Sequence, residues 1–201
     1  NLYSNSLLAL DVATGRIVLH FQFTPCDDHD WVLIQTPELI DVAEGNTQKK
    51  LLAVANRNGF YYVLDRVNGK FVRAAPFIKQ TWARGLTDDG RPIRLPGITP
   101  TPDGVLLYPS TNGGTNWWPS AFSPVTQLSY VDGQERGGMY FSNETTPSPT
   151  PGKPFRSRLF AHWYRRRHRR QHGLYHRTVC GRGTVALTCV SHVSMLHTCP
   201  R

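Results

Sequence analysis

The chain has 201 residues, of which 39% are hydrophobic and 18% are charged. This length supports one domain with a buried core, and this composition excludes a chain that is disordered throughout. No apolar run reaches the length of about eighteen residues that a transmembrane helix needs. The N-terminus lacks both an initiator Met and the basic-then-apolar pattern of a signal peptide, so we expect a piece of a longer protein.

Charge divides the chain into two regions. Residues 1–144 contain all 14 acidic residues and 12 of the Lys and Arg residues, whereas residues 145–201 contain the other 11 and no acidic residue. The net charge of +9 therefore comes from the second region. Because such asymmetry separates a folded unit from a charged segment, we treat residues 1–144 as a domain and residues 145–201 as a tail.

Residues 1–144 show the signals of β-strands rather than of helices. Short apolar or β-branched runs alternate with turns rich in Gly, Asn and Asp, and the runs are Ser6–Leu10, Ile17–Phe23, Leu51–Ala55, Phe60–Leu64 and Val105–Tyr108. This spacing predicts an all-β fold, which is a sandwich, a barrel or a propeller.

A repeated turn favours the propeller. Leu10-Asp11-x-x-Thr14-Gly15 recurs 54 residues later as Leu64-Asp65-x-x-Asn68-Gly69. In each copy the Asp can accept turn N–H groups, and the Gly supplies a positive φ. A hairpin repeated at this interval fits one propeller blade with an insertion, although two unrelated hairpins would give the same pattern.

Several segments resemble, in the same order, parts of the PQQ-dependent (quinoprotein) alcohol and methanol dehydrogenases. They are Asn1–Ser6, Leu8–Gly15, Phe21–Pro25, Asn56–Phe60 and Asn112–Trp117. The resemblance implies an eight-bladed β-propeller with pyrroloquinoline quinone (PQQ) on its axis, of which residues 1–144 supply middle blades. Leu19 lies near the place of the repeat's usual Trp, which implies a weaker stacking contact between blades.

The resemblance also implies a chemistry, in which a carboxylate base removes the hydroxyl proton of an alcohol while hydride passes to the quinone. The family's base segment resembles Thr-Pro-His-Asp-x-Trp-Asp, and it matches residues 24–30, so Asp30 is the candidate base and metal contact. The segment departs from the pattern at Cys26 and His29. Val32 stands where many relatives carry a second Asp linked to a lanthanide, so calcium is favoured over a lanthanide.

Arg57, Asn116 and Trp117 are the other site residues that the resemblance implies. Arg57 lies in an Asn-Arg-Asn-Gly turn, where the family's cation contacts the base and stabilises charge on the quinone oxygens, although an Arg in a hairpin turn is ordinarily exposed. Asn116 would bind the edge of the cofactor, and Trp117 would offer it a flat apolar surface. The family's Glu and Asn metal ligands, its vicinal disulfide and its Trp floor belong to blades upstream of this segment.

The tail supports three interpretations. Four Pro residues between positions 145 and 154 indicate a linker, and the Arg-rich stretch 163–172 is typical of a surface for nucleic acid, another polyanion or an anionic membrane. A metal cluster has little support, since no standard zinc spacing fits its members, which are Cys180, Cys189, His192, His197 and Cys199. We favour a frameshift near residues 145–155, because acidic residues vanish where the resemblance stops, and we expect the tail to be disordered.

The leading functional interpretation is a piece of a periplasmic PQQ-dependent alcohol dehydrogenase. It would oxidise a small alcohol and pass electrons to an acceptor such as a cytochrome c, and we expect it to be inactive by itself. One alternative is a non-catalytic scaffold built of PQQ-type repeats, and another is a basic nucleic-acid-binding protein that acts through residues 155–182. The set of Asp30, Arg57 and Asn116 separates the first two, because a scaffold has no need of all three.

Overall fold

The computed structural model describes residues 3–142 in full and, beyond them, the backbone of three strands. The first part contains β1 (Ser6–Leu10), β2 (Ile17–Gln22), β3 (Glu38–Glu44), β4 (Thr47–Ala55), β5 (Phe60–Asp65), β6 (Phe71–Pro76), β7 (Ala83–Leu86), β8 (Pro92–Arg94), β9 (Val105–Leu107), β10 (Ala121–Ser123), β11 (Leu128–Gly133) and β12 (Gly137–Phe141). The three further strands are β13 (Phe160–Tyr164), β14 (Leu174–Val179) and β15 (Leu187–Val193). Among the described residues no helix is long and apolar enough to cross a membrane.

The best-formed sheet is an antiparallel meander of four strands in the order β3-β4-β5-β6. Its two central strands contain the apolar runs that predicted them, and these runs are buried on both faces. Leu52 pairs with Leu64 and Val54 with Tyr62, so the two runs lie side by side in the middle of the sheet. A four-stranded antiparallel meander is the unit from which propeller blades are built.

The remaining sheets are smaller, and they include the tail strands. β1 pairs with β2, β7 with β8, and β9, β12 and β13 form one sheet, while β10, β11, β14 and β15 form another. The backbone of β13, β14 and β15 is extended and paired, and most of the tail, for which we expect disorder, lies outside the described residues. The proposed position of the frameshift and most of the Arg-rich stretch lie outside the described residues.

The repeated turn predicted from the sequence is formed in both places. Asp11 Oδ1 accepts hydrogen bonds from the backbone N and the hydroxyl of Thr14, at 2.8 and 2.7 Å, and these bonds lower the pKa of that carboxyl. In both copies the Gly N donates to the Asp carbonyl at 2.8 Å. Gly15 and Gly69 have φ values of 69° and 72°, in the left-handed region that favours glycine.

Leu19, which lies near the place of the family's stacking Trp, contacts the second of these turns. A Cβ on Gly69 would lie 3.1 Å from Cδ1 of Leu19, so the leucine side chain rests on the glycine itself. An aliphatic side chain therefore connects the two successive repeats, and it covers less area there than an indole would.

Two clusters of buried side chains lie on opposite faces of β4 and β5. One cluster is aromatic, and its largest members are Phe21, Phe23, Trp31, Phe60, Tyr62, Trp82 and Tyr140. The other is mainly aliphatic, and it includes Ile40, Val42, Leu51, Val63, Phe77 and Ile78. The aromatic cluster matters for function because Trp31 belongs to the loop between β2 and β3, which carries Asp30.

A buried polar contact joins strands of two sheets. Glu38 on β3 accepts through Oε2 from the hydroxyl of Tyr61 on β5 at 2.7 Å and from the hydroxyl of Ser129 on β11 at 2.6 Å. Burial raises the pKa of the Tyr61 hydroxyl above its ordinary value, and the negative charge of Glu38 raises it further. The phenol therefore stays protonated and acts as a donor.

We expect Tyr61→Phe to destabilise the chain by about 1–3 kcal/mol, because it removes a donor from a buried carboxylate. The free energy of unfolding in urea measures this. Tyr130→Phe is the matched control, since Tyr130 is 44% exposed, and it should change that free energy by less than about 0.5 kcal/mol. Equal effects of the two substitutions would contradict a stabilising role for the buried contact.

Candidate active site

The loop that carries Asp30 is held to the rest of the domain by hydrogen bonds from a distant arginine. Arg94 on β8 donates to the carbonyl of Cys26 and to Asp28 Oδ1, both at 2.8 Å. Burial favours a higher pKa for Asp28, but the hydrogen bonds and charges of His29 and Arg94 outweigh it, so that pKa lies below its usual value. This end of the loop is therefore fixed by a charged contact.

His29 occupies the position where the resemblance expects an aromatic residue, and it packs as an aromatic residue would. Its ring stacks on that of Trp31, with centroids 4.5 Å apart and planes 13° from parallel, and it meets Tyr140 edge-on. Its Nε2 lies 2.9 Å from the carbonyl oxygen of Ile98, which can only accept, so Nε2 carries a hydrogen. Its Nδ1 lies 2.7 Å from Asp28 Oδ1. Although His29 departs from the family's motif, its ring contacts keep the loop packed on the aromatic cluster.

Asp30 and Arg57, which the sequence places 27 residues apart, lie next to each other. Asp30 Oδ2 is 3.9 Å from a terminal guanidinium nitrogen of Arg57. The carboxylate side chain is 64% exposed, whereas Arg57 as a residue is only 8% exposed. The structure therefore brings together a solvent-accessible carboxylate and a buried cation.

The turn that carries Arg57, residues 56–59, is itself buried, and Asn58 holds it in place through hydrogen bonds. The Asn58 side chain donates to the hydroxyl oxygens of Thr24 and Tyr62, each at 3.0 Å, and accepts from the backbone N of Phe60. The indole N–H of Trp82 donates to the Asn58 carbonyl at 2.8 Å. Arg57 is therefore not an exposed hairpin residue, and its cation approaches Asp30 from the interior of the domain.

The guanidinium of Arg57 has hydrogen-bonding capacity left over. One terminal nitrogen donates to the carbonyl of Thr111. Its Nε is buried and has no hydrogen-bond partner within the described part of the chain. Because a buried, unpaired donor on a cation is costly, a ligand with an oxygen acceptor would stabilise this side chain.

A glycine loop between β9 and β10 lies directly on Arg57. The backbone N of Gly114 donates to the Arg57 carbonyl at 2.8 Å. A Cβ on Gly113, whose φ is +78°, would lie 2.5 Å from the Cβ of Arg57, so only glycine fits there. The close approach of this loop fixes the backbone of the arginine.

Asn116 and Trp117 lie at the end of the same glycine loop. The Asn116 amide donates to the Asn112 carbonyl at 2.9 Å and accepts from the backbone N of Trp117 at 3.0 Å. Trp117 is 69% exposed, and its ring lies 5.5 Å from that of Trp118. The structure brings the loop of these two residues onto Arg57, while the Asn116 side chain is engaged within the loop.

Two residues near the site were missed by sequence reasoning. Gln35 is buried, and its amide nitrogen lies within hydrogen-bond distance of Thr115 Oγ1 at 2.8 Å, the Asn116 carbonyl at 2.6 Å and the carbonyl of Trp118, among which its two N–H groups are shared. Asp27 binds backbone N–H groups of its own loop. Asp27 matches the first Asp of the family's base segment, but its backbone partners are not visible in the sequence, and the partners of Gln35 lie about 80 residues away.

The described residues do not by themselves form a metal centre. No group of three or more His, Cys, Asp or Glu side chains in that part of the chain could hold a metal ion. Asp30 offers one carboxylate, whereas calcium takes about six to eight oxygen ligands. A calcium ion at Asp30 would therefore need ligands from outside these residues.

We expect Gly113→Ala to lower the free energy of unfolding by about 1–3 kcal/mol more than Gly97→Ala does. Both glycines have a positive φ, but a Cβ at Gly97 would meet nothing within 4 Å, whereas one at Gly113 would collide with Arg57. Urea denaturation of both variants checks this. Equal losses would show that the glycine loop does not press on the arginine.

Comparison with known proteins identifies the family to which this chain is similar. The family profile described as "PQQ: Glucose/ethanol/alcohol dehydrogenase, beta-propeller domain" matches residues 1–81. The quinoprotein alcohol dehydrogenase PedH of Pseudomonas putida is 43% identical over 145 residues, which cover 68% of this chain and 24% of PedH. The 1-butanol dehydrogenase (cytochrome c) of Thauera butanivorans is 37% identical over 134 residues, which cover 67% of this chain and 19% of that protein.

Solved structures of the same kind are also similar. The quinohemoprotein alcohol dehydrogenase of Comamonas testosteroni gives a TM-score of 0.77 at 30% identity. The aligned part covers 96% of this chain and 30% of the chain of that enzyme. A europium-containing methanol dehydrogenase gives 0.72 at 29% identity, with coverage of 89% and 31%. The chain thus spans about a fifth to a quarter of the length of the curated relatives quoted above. The predicted family and the partial propeller are confirmed, and the chain belongs to the PQQ-dependent (quinoprotein) alcohol dehydrogenases.

Proposed function

We propose that this chain supplies the base and the quinone-binding cation of a PQQ-dependent alcohol dehydrogenase. The observation that supports this is the 3.9 Å contact between the exposed carboxylate of Asp30 and the buried guanidinium of Arg57. A base must meet the substrate, whereas a cation that stabilises developing charge acts most strongly where water is excluded. The two side chains have the burial that these two roles require.

Asp30 takes the proton of the alcohol hydroxyl at its carboxylate. Bound PQQ would supply the carbonyl that accepts hydride from the alcohol carbon, so that the alcohol leaves as an aldehyde or ketone. Arg57 donates hydrogen bonds to oxygen atoms of the cofactor, and its unpartnered Nε is available for this. Because Thr111 and Gly114 hold the arginine, little reorganisation accompanies the change in charge.

Asn116 and Trp117 are proposed as further contacts of the cofactor. The Asn116 amide keeps one N–H and one lone pair beyond the bonds it makes within its loop. Trp117 exposes most of its ring, which suits a flat ligand. Gln35 anchors the backbone on both sides of Trp117, at Asn116 and at Trp118.

Calcium is the metal we propose, with Asp30 as one of its ligands. Val32 lies two residues after Asp30, at the position where a lanthanide site would need a second carboxylate. A valine side chain offers no ligand atom. The other ligands would come from parts of the enzyme that these residues do not include. For that reason we propose that the chain is inactive by itself.

The whole enzyme is proposed to act on a small alcohol in the periplasm and to pass electrons to an acceptor such as a cytochrome c. The support is the family, since the relative from Thauera butanivorans bears cytochrome c in its name. The scaffold alternative is less favoured, because a scaffold would not require a buried cation beside an exposed carboxylate. Two statements remain predictions. One is that residues 1–144 form the domain, and the other is that the tail is a separate segment that binds nucleic acid.

We expect the chain to bind PQQ weakly in the presence of calcium, and Arg57→Gln to raise the Kd by at least about tenfold, since it removes charge-assisted hydrogen bonds. Quenching of Trp fluorescence in a PQQ titration measures the Kd. Arg66→Gln is the control, because Arg66 lies in another turn and pairs with Asp41, and it should leave the Kd within about twofold.

We further expect Asp30→Asn to leave the PQQ Kd within about threefold, since the amide keeps the shape of the carboxylate but cannot act as the base. Dye-linked ethanol oxidation by the chain with PQQ and calcium should be negligible for every variant, including the unmodified chain. Absence of PQQ binding would contradict the proposed function, and robust ethanol oxidation would contradict the proposed dependence on other blades.

A further inference from the structure

We propose that Asp27 is a positioning residue that holds Asp30 against Arg57. The proposal rests on the proposed role of Asp30 as the base, and it assigns to Asp27 no contact with substrate or cofactor. It stands on the hydrogen bonds of the Asp27 carboxylate and on the backbone conformation of Asp30.

The carboxylate of Asp27 binds the backbone on both sides of Asp30. Its Oδ1 accepts from the backbone N of His29 at 2.9 Å, and its Oδ2 accepts from the backbone N of Trp31 at 2.7 Å. Asp30 lies between these two residues, so its own backbone has little freedom. A single side chain thus fixes the direction in which the base points.

Asp30 needs such a restraint because of its backbone conformation. Its φ is +64°, in the left-handed region, which costs a non-glycine residue about 1 kcal/mol or more. The side chain of Asp30 makes no short hydrogen bond in the described part of the chain that would offset this cost, and Arg57 is 3.9 Å away. The two bonds to Asp27 are short and flank the strained residue, so they stabilise the conformation.

A second set of bonds connects Asp27 to the turn of Arg57. Asn5 Nδ2 donates to Asp27 Oδ2 at 3.4 Å, and Asn5 Oδ1 accepts from the side-chain amide of Asn56 at 3.0 Å. Asn56 is the residue before Arg57. The chain of bonds from Asn56 through Asn5 to Asp27 therefore sets the position of the loop of the base relative to the turn of the cation.

The Asp27 carboxylate is largely buried, and hydrogen bonds compensate for its loss of hydration. Burial raises the pKa of Asp27, while the N–H groups of His29 and Trp31 act to lower it. Asp28, next in sequence, binds side chains of His29 and Arg94 instead and accepts no bond from a backbone N–H that flanks Asp30. Asp28 is therefore a matched control one residue away.

The first test is amide hydrogen exchange of the full chain, measured by NMR. Asp27→Asn replaces one acceptor oxygen by an NH₂ group, which cannot accept from an N–H. We expect exchange at His29 or Trp31, or at both, to become at least about tenfold faster, with amides of β4 and β5 changing by less than about threefold. Asp28→Asn should leave exchange at these two amides within about threefold.

The second test connects Asp27 with the base itself. In the unmodified chain, Arg57→Gln should shift the side-chain ¹³Cγ resonance of Asp30, because it removes a nearby charge. In the Asp27→Asn background, the shift of the Asp30 ¹³Cγ resonance that Arg57→Gln causes should fall to less than about half. The reason is that the Asp30 carboxylate no longer stays near Arg57. Asn5→Gly tests the connecting bonds separately, because glycine tolerates the positive φ of Asn5, which is 45°. It should reduce the ¹³Cγ response while leaving exchange at Trp31 slow.

The outcomes separate this inference from the proposed function, because neither readout needs PQQ. Unchanged exchange at both His29 and Trp31 in Asp27→Asn, or an undiminished ¹³Cγ response, would overturn the positioning role whatever the quinone does. Faster exchange throughout β4 and β5 would also overturn it, since Asp27 would then support the fold as a whole. Failure of PQQ to bind, with both NMR results as expected, would overturn only the proposed function.

Discussion

The arrangement of the site depends on the buried turn between β4 and β5. Its two asparagines are fully buried, and a buried amide without partners is strongly destabilising. Asn58 satisfies its side chain and its carbonyl with groups from three other segments, so the turn has one well-defined conformation. The position of the Arg57 cation follows from this conformation, and its partners, the Thr111 carbonyl and Asp30, must then be close to it.

Two tryptophans place the loop of Asp30 and the turn of Arg57 on a common support. Trp31 belongs to the loop of Asp30, and its indole N–H donates to the Ser110 carbonyl at 3.0 Å. Trp82 donates in the same way to Asn58, in the turn of Arg57. The two indole rings are 4.9 Å apart and fully buried. A shift of either segment would thus have to disturb one aromatic cluster, which explains how residues far apart in sequence keep a fixed distance.

Sequence patterns predicted the two central strands and also β1, β2 and β9, but they missed strands whose apolar residues are interrupted or few. Leu51–Ala55 and Phe60–Leu64 are continuous apolar runs because both faces of these strands are covered. β3 was missed because Glu38, Asp41 and Glu44 interrupt its apolar residues, although Ile40 and Val42 do point into the core. Strands of three residues, such as β8 and β10, are too short to show a period.

The candidate site was predicted only through the family resemblance. Nothing in the spacing of Asp30 and Arg57 shows that they meet, because the meeting depends on how a loop and a turn pack against the aromatic cluster. The contacts of Asp27 and Gln35 could not be predicted, since both bind mainly backbone atoms, which every residue has, even though Asp27 matches an Asp of the family's base segment. The sequence does not record which backbone groups lack a partner within the strands, and that information decides where such polar side chains bind.

The difference in burial between Asp30 and Arg57 also bears on the choice between an enzyme and a scaffold. Two exposed charges 3.9 Å apart would be screened by water and would contribute little to stability. Here only the carboxylate is exposed, while the guanidinium has lost most of its hydration and keeps one donor unpaired. Such an arrangement weakens the fold unless a ligand completes it. A scaffold would gain nothing from that loss, whereas the function proposed above would use both the accessible carboxylate and the unpaired donor.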